Sequence, residues 1–95
     1  MNDTPQSGMV VKSVSGRDMK RYFLVVGMET DEYVLISDGD LRRIEKPKRK
    51  KIKHLAATPD ISKELQDKLQ KGERITNSEI RDVLSSLGYD YKHKA

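Results

Sequence analysis

The chain has 95 residues, of which 35% are hydrophobic and 36% charged, so it accommodates one small domain with a modest core. No apolar run approaches the ~20 residues that cross a bilayer, no signal-peptide pattern opens the chain, and the absence of cysteine excludes disulfides and thiolate metal sites. We therefore expect a cytoplasmic protein without a membrane partner, and the composition disfavours an enzyme with a deep, dry pocket.

The net charge of +4 is unevenly distributed along the sequence. Residues 41–54, here called the basic run, carry eight Lys and Arg side chains against the single carboxylate of Glu45. This segment alone has a charge of +7, whereas the rest of the chain sums to −3. Basicity is therefore a local property of one segment, and residues 59–95 are neutral, with seven basic and seven acidic side chains.

Short apolar stretches separated by turn residues predict a small β domain. The expected strands are Met9–Val14, Tyr22–Val26, Tyr33–Ile36, Leu41–Glu45 and Ile52–Ala57. Asp38-Gly39 is a strong signal for a tight hairpin, and residues 48–51, which follow Pro47, are expected to form a loop. Four or five strands at this spacing leave no room for crossover helices, so we predict a small antiparallel barrel.

The last third of the sequence predicts two short helices. Thr58-Pro59-Asp60 is typical of a helix start and Gly72 of its end, while Thr76 and Glu79 have the spacing of a capping box. The apolar faces would consist of Ile61, Leu65 and Leu69 in the first helix and of Ile80, Val83, Leu84 and Leu87 in the second. Such short helices are marginal alone, so they must pack on each other, on the barrel or on a partner. The expected organisation is a flexible lead-in at 1–7, a barrel at 8–58, a helical hairpin at 59–92 and a frayed end at 93–95.

The basic run is the strongest functional signal in the sequence. Eight cations within fourteen residues repel one another unless an anion relieves them, and a nucleic-acid backbone would do so. The candidate contacts are Arg42, Arg43, Lys46, Lys48, Arg49, Lys50, Lys51, Lys53 and His54. This interpretation requires that one rigid scaffold holds the cations together and that acidic neighbours from the same chain do not neutralise them. The alternatives are a solvated loop that keeps the protein soluble and a nuclear localisation signal.

A second candidate site is the turn Ser15-Gly16-Arg17-Asp18. Gly16 permits positive φ, Asp18 is expected to bond local amides, and Arg17 and Lys20 would point outward. Taken alone, this segment is equally well explained as a structural turn, and so is Gly39 in the Asp-Gly pair.

Signals for catalysis are weak, and we expect no enzyme, cofactor or metal site. His54 and His93 stand apart from any nucleophile or acid, and Asp38 and Asp40 are more typical of a turn than of a cation site. The five aromatic residues, Tyr22, Phe23, Tyr33, Tyr89 and Tyr91, provide few stacking platforms, with Phe23 and one or both of Tyr22 and Tyr33 expected in the core. This favours recognition of backbone and shape over base readout, and disfavours a groove for proline-rich peptides.

Residues 8–18 (GMVVKSVSGRD) and 21–26 (RYFLVV) together resemble a KOW motif. With the continuation through residues 33–39 and 41–55, the chain is similar over about residues 6–58 to bacterial KOW-domain RNA-binding proteins. Those proteins are related to archaeal and eukaryotic large-subunit ribosomal proteins that contain a KOW barrel. KOW motifs often place a glycine shortly after the turn, where this chain has Met19-Lys20-Arg21.

The resemblance implies a five-stranded SH3-like barrel whose loops contact ribosomal or other structured RNA. Gly16 would be the turn glycine of the motif, Arg17 and Lys20 would be contacts in the first loop, and the basic run would be the main RNA surface. The leading hypothesis is therefore a ribosome-associated RNA-binding protein. Two alternatives stay open: an adaptor that docks on a ribosome or RNA polymerase through the barrel and helices, and a protein that binds double-stranded DNA.

Overall fold

The computed structural model describes residues 5–89, which form five strands, a short 3-10 helix and two α-helices. In chain order these are β1 (Met9–Ser13), β2 (Tyr22–Met28), β3 (Tyr33–Ser37), β4 (Lys48–Lys51), the 3-10 helix (Ile52–His54), β5 (Leu55–Ile61), α1 (Lys63–Gln70) and α2 (Asn77–Ser86). The strands form one antiparallel sheet in the order β4-β3-β2-β1-β5. Strands β1 to β4 are thus a meander, and β5 returns to pair with β1.

One face of the sheet encloses its own apolar core. Its fully buried members are Val11, Phe23, Val25, Val34 and Ile36, with Met9, Ile52 and Leu55 packed against them. All these side chains come from strands or the 3-10 helix, so the sheet must curl around them to exclude water. The predicted fold class, mainly β with a helical C-terminal part, is confirmed as a barrel-like antiparallel sheet followed by two helices.

The opposite face of the sheet packs against both helices. Val10 of β1 and Leu24 of β2 are buried together with four side chains from the helical part, which are Leu65, Ile75, Ile80 and Leu84. Neighbouring residues along a strand point to opposite faces, so Val10 and Val11 serve different cores. Of the three packing options open at the sequence level, the structure shows the helices folded onto the sheet.

The first helix begins later than predicted. Its N-cap is Ser62, whose side chain accepts a hydrogen bond from the Leu65 amide at 3.3 Å, whereas Thr58-Pro59-Asp60 belongs to β5. Between Ala57 and Ile61, β5 has two more residues than the paired part of β1, so it bulges at this point. A proline is tolerated in a bulged edge strand because its missing N–H leaves no ladder bond unmade.

The second helix begins as its sequence predicts. Thr76 caps α2, and Glu79 closes the capping box by accepting from the Thr76 backbone amide at 2.9 Å. Gly72, with a φ of +75°, follows the end of α1, as predicted. Of the predicted apolar face, Ile80 and Leu84 are buried, but Leu87 is exposed because α2 has ended at Ser86.

Within the basic run, the predicted strand and loop are both wrong. Residues 41–45 form turns, and residues 48–51, expected as a loop, form strand β4. The Asp38-Gly39 pair opens a ten-residue loop, 38–47, in place of a tight hairpin. In the predicted strand 52–57, the first three residues form the 3-10 helix and β5 starts only at Leu55.

The described part of the N-terminal lead-in, residues 5–7, contacts the rest of the chain. Pro5 is buried, the Ser7 carbonyl accepts from Gln66 Nε2 at 2.9 Å, and the Gly8 amide donates to the Val25 carbonyl at 2.8 Å. Residues 1–4 and 90–95, including Tyr91 and His93, lie outside the described residues. No helix in the described part of the chain has the length and apolar character of a membrane span.

Candidate nucleic-acid interface

Two loops that contain predicted contact residues are joined by ion pairs. The first loop, residues 14–21, connects β1 to β2, and the second loop, residues 38–47, connects β3 to β4. Arg21 of the first loop binds Asp38 of the second at 2.5 Å, and Arg42 of the second binds Asp18 of the first at 3.2 Å. Because each loop supplies one cation and one carboxylate, the two loops form a single interlocked surface.

Asp18 has a different role from the one predicted. We expected its carboxylate to bond local amides, but it is buried and faces three cations: Arg21 at 3.6 Å, Arg42 at 3.2 Å and Lys48 at 3.9 Å. A buried carboxylate is stable only with such partners. The backbone of the turn does match the prediction, since Gly16 has a φ of +80°.

Asp38 is the carboxylate that holds a turn through amides. Its Oδ1 accepts from the amides of Asp40 and Arg42, both at 2.9 Å, while its Oδ2 binds Arg21. These contacts use both carboxylate oxygens, so the residue shapes the second loop. Within residues 5–89, no three His, Asp or Glu side chains converge as metal ligands.

The second loop is also fixed to the start of α2. Asn77 accepts a hydrogen bond from the Ile44 amide at 2.7 Å and donates one to Glu45 Oε1 at 2.8 Å. The bond from Asn77 is the main reason why the pKa of Glu45 is lowered. At Gly39, whose φ is +76°, an added Cβ would lie 2.4 Å from the Asn77 carbonyl oxygen. The loop and the helix therefore approach too closely for any larger residue.

Strand β4 divides the densest part of the basic run between two faces. Lys48 and Lys50 pair with Ile36 and Val34 of β3 and share their side of the sheet, whereas Arg49 and Lys51 lie on the other side. Lys50 is only 8% exposed, and its ammonium donates to the Ser15 carbonyl at 3.1 Å. These four residues therefore do not form one continuous track for phosphates.

On the other side of β4, an aromatic ring and a carboxylate hold Arg49. Its guanidinium lies 3.7 Å from the Tyr33 ring centroid and pairs with Glu29. The hydrogen bond with Glu29 is the main cause of the raised pKa of Arg49. Lys51 lies 5.7 Å from the same ring, so Tyr33 packs beside both cations and is half-buried, whereas Phe23 is a core residue.

The structure leaves another group of cations open to solvent. Arg17 and Lys20 on the first loop, Lys46 on the second and Lys53 on the 3-10 helix are exposed, and none of them pairs with a carboxylate within residues 5–89. Arg43 is also exposed, and it donates to the backbone carbonyl of Asp40 at 3.3 Å. His54, half-buried at the end of the 3-10 helix, uses its carbonyl to accept from the Val14 amide at 2.9 Å.

Acidic side chains of the same chain thus neutralise part of the predicted site. Arg42, Lys48 and Arg49 have carboxylate partners, while Arg17, Lys20, Arg43 and Lys46 lie exposed on the interlocked loops. The pairing through Arg21 was not predicted from the sequence. Its only local signal was the i, i+3 spacing of Asp18 and Arg21, because Asp38 and Arg42 become neighbours of that turn only on folding.

Comparisons with known proteins show that the chain is similar in sequence to a protein of Bacillus subtilis. No family model matches it, so the KOW resemblance stays a prediction. The "Putative ribosome-binding protein YbzG" of Bacillus subtilis (strain 168) is 41% identical over 54 residues, which is 57% of this chain and 73% of that protein. Identity at this level over most of the relative's length shows that the chain belongs to the same family as this Bacillus subtilis protein.

Proposed function

We propose that this chain is a non-enzymatic, ribosome-associated protein that binds structured RNA through phosphate contacts from the two interlocked loops. The observation that carries the proposal is the exposure of Arg17, Lys20, Arg43 and Lys46 on two loops that ion pairs to the buried carboxylates Asp18 and Asp38 hold together. Exposed cations on a rigid support attract a polyanion without the cost of ordering the backbone of the loops at binding. The name of the Bacillus subtilis relative, "Putative ribosome-binding protein YbzG", supports the choice of partner.

The internal ion pairs change which residues are proposed to carry the binding. Arg42 and Lys48 face Asp18, so RNA would have to compete with a buried carboxylate for them. Lys50 is buried against the first loop and contributes to its position. We therefore assign the main phosphate contacts to the exposed cations of the loops, and treat Lys51, Lys53 and His54 as secondary contacts.

The adaptor alternative receives less support from the packing. Its helices were expected to offer apolar faces to a partner, but Leu65, Ile80 and Leu84 are buried against the sheet of the same chain. Because those apolar faces are covered, the helices present mainly polar and charged side chains to a partner. The name of the Bacillus subtilis relative is compatible with contact to either ribosomal RNA or ribosomal protein.

The test is the salt dependence of binding to purified ribosomal RNA. If four loop cations meet phosphates, log K against log salt should fall with a slope of about −3 to −4. The triple variant R17A/K20A/K46A should reduce the steepness of that slope by about 2 to 3, because each lost contact releases one counterion fewer. Filter binding over a range of KCl concentrations measures both slopes.

A control triple with the same change in charge is available in the helical part of the chain, residues 62–89. Lys63, Lys71 and Arg74 are exposed there, so K63A/K71A/R74A should leave the slope near that of the wild type. If both triple variants lost the same amount of RNA affinity, net charge alone would determine the affinity. Salt-independent binding, or ribosome association that survives nuclease treatment, would contradict the proposal and favour the adaptor.

A further inference from the structure

The two interlocked loops also expose large apolar side chains. Met19 of the first loop is 51% exposed and Leu41 of the second is 63% exposed, the two highest values among large hydrophobic residues in the described part of the chain. Val14, at the start of the first loop, is exposed as well. Three of the five exposed large hydrophobics of residues 5–89 thus lie on the surface that carries the free loop cations.

This exposure belongs to a fixed structure. In the sequence, Met19 follows Asp18 and Leu41 precedes Arg42, so each apolar residue adjoins one member of the 3.2 Å ion pair that joins the loops. The Met19 amide also donates to the Gly16 carbonyl at 3.2 Å, which closes the turn. Holding such side chains in water costs free energy, since each could otherwise bury its apolar area. Exposed apolar side chains that are grouped on neighbouring loops, in contrast to scattered single ones, mark a contact surface.

We propose that Met19 and Leu41 contact unstacked bases, so that the RNA bound by the loops contains an interrupted helix, such as a bulge or internal loop. This rests on the RNA binding proposed above and specifies the class of RNA.

The chemistry of the surface limits the choice of partner. A continuous A-form duplex presents phosphates, 2′-hydroxyls and base edges, and it has no apolar face for a methionine or leucine. Where the helix is interrupted, bases splay out and expose flat apolar faces beside the phosphates. Cations and apolar side chains on one surface match that combination. An anionic membrane offers a related combination, which the experiment tests separately.

The experiment compares two RNA hairpins of equal length, one fully paired and one with a short bulge, by fluorescence anisotropy with the full chain. We expect the wild type to bind the bulged hairpin about tenfold more tightly, as burial of one or two apolar side chains allows. M19S/L41S should lose this preference and bind both hairpins as the wild type binds the paired one. Its salt slope should not change, because no charge is removed.

The chain supplies a matched control on other surfaces. Met28 at the end of β2 is 47% exposed and Leu87 after α2 is 41% exposed, so M28S/L87S removes the same two residue types with similar exposure. This control should keep the preference for the bulged hairpin. Thermal unfolding should show that both double variants are folded, because all four side chains lie at the surface.

Several results would overturn the inference. If the wild type bound both hairpins with equal affinity and kept its salt slope, the proposed contact with bases would be contradicted, but the proposed RNA binding would not. Failure to bind either hairpin or ribosomal RNA would contradict the proposed function itself. If M19S/L41S lost ribosome binding while its affinity for both hairpins stayed that of the wild type, Met19 and Leu41 would contact a ribosomal protein and not RNA bases. Binding to vesicles of phosphatidylglycerol and phosphatidylcholine that M19S/L41S abolishes would assign it to a lipid surface.

Discussion

Lys20 adopts a backbone conformation that normally favours glycine. Its φ of +74° is the only positive value at a non-glycine position in the described residues. Hydrogen bonds on both sides hold it there: the Lys20 amide donates to the Ser13 carbonyl at 2.8 Å, and the Ser13 amide donates to the Arg21 carbonyl at 2.9 Å. The left-handed position of this turn thus carries a cation in place of the glycine that such a conformation favours.

Two substitutions of Lys20 should distinguish the effect of backbone strain on stability from the effect of the positive charge on RNA binding. K20G and K20A both remove the ammonium, but only K20G relieves the left-handed backbone, so K20G should be more stable by about 0.5–1 kcal/mol. Both variants should lose RNA affinity to the same extent. Urea unfolding and filter binding measure the two effects. Equal stability of K20G and K20A would contradict the left-handed conformation.

Gly39 shows how one position joins two elements of the structure. Its carbonyl accepts from Arg81 Nη1 at 2.5 Å, and its Cα faces the Asn77 backbone at the start of α2. The second loop is therefore supported by a helix that follows it by more than thirty residues in the sequence. The position of Leu41 and Arg42 depends on this support.

Gly39→Ala should be costly because the added Cβ meets the Asn77 carbonyl oxygen. Gly72→Ala is its matched control: Gly72 has nearly the same φ, +75°, but an added Cβ there meets nothing within 4 Å. We expect a loss of about 1 kcal/mol for G72A, from backbone strain alone, and about 2–4 kcal/mol for G39A. Urea unfolding measures both. Similar losses in the two variants would contradict the close approach of loop and helix.

The elements that could be predicted are those that local signals determine. The apolar strands around Val11, Phe23 and Ile36 and the Thr76–Glu79 cap follow from patterns within a few residues. The basic run could not be placed this way, since lysine and arginine have no strong strand preference. Strand β4 forms because β3 offers an edge, and residues 41–45 turn because Asn77 and Arg81 hold the loop.

For the candidate site, the sequence indicated the residue types and the two loops but not the internal neutralisation. The exposure of Arg17 and Lys20 matches the prediction. Arg42 and Lys48 differ from it because Asp18 lies more than twenty positions away and pairs with them only in the folded chain. Charge counting along a sequence cannot detect a carboxylate that long-range pairing brings to a cation.

At the scale of the whole molecule, the two cores share one sheet. Strands β1 and β2 give Val10 and Leu24 to the helix side, and Val11 and Phe23 to the barrel side. Removal of the helices would expose two fully buried side chains of the sheet, so the helical part belongs to the folded unit. An ion pair between Lys68 of α1 and Glu79 of α2, at 2.5 Å, joins the helices beyond this core.

Acid should weaken the whole fold partly through that ion pair. The hydrogen bond from Lys68 is the main cause of the lowered pKa of Glu79, and the Thr76 amide adds to it. A carboxyl with a lower pKa in the folded state binds fewer protons than when unfolded. Its contribution is complete above the ordinary glutamate pKa of about 4.3 and is lost as the pH falls through the lowered value.

The prediction is that E79Q and K68M each make the fall in stability below about pH 4.3 less steep. Glutamine preserves the capping box, so E79Q removes the charge without removing the helix cap. The double variant E79Q/K68M should match E79Q, because no carboxyl titrates there, whereas K68M alone should keep the part of the slope that the Thr76 amide causes. Urea unfolding at a series of pH values measures these slopes. An unchanged slope in K68M would contradict the pairing.

The two edge strands of the sheet determine whether two copies of the chain can pair through their sheets. An unpaired strand edge can recruit a strand from another molecule, and β4 and β5 are the two edges here. Four consecutive cations line β4, where two copies would repel each other, and Pro59 in β5 has no N–H to offer. The charge of β4 thus opposes pairing between the edges of two copies, whether or not a phosphate touches that strand.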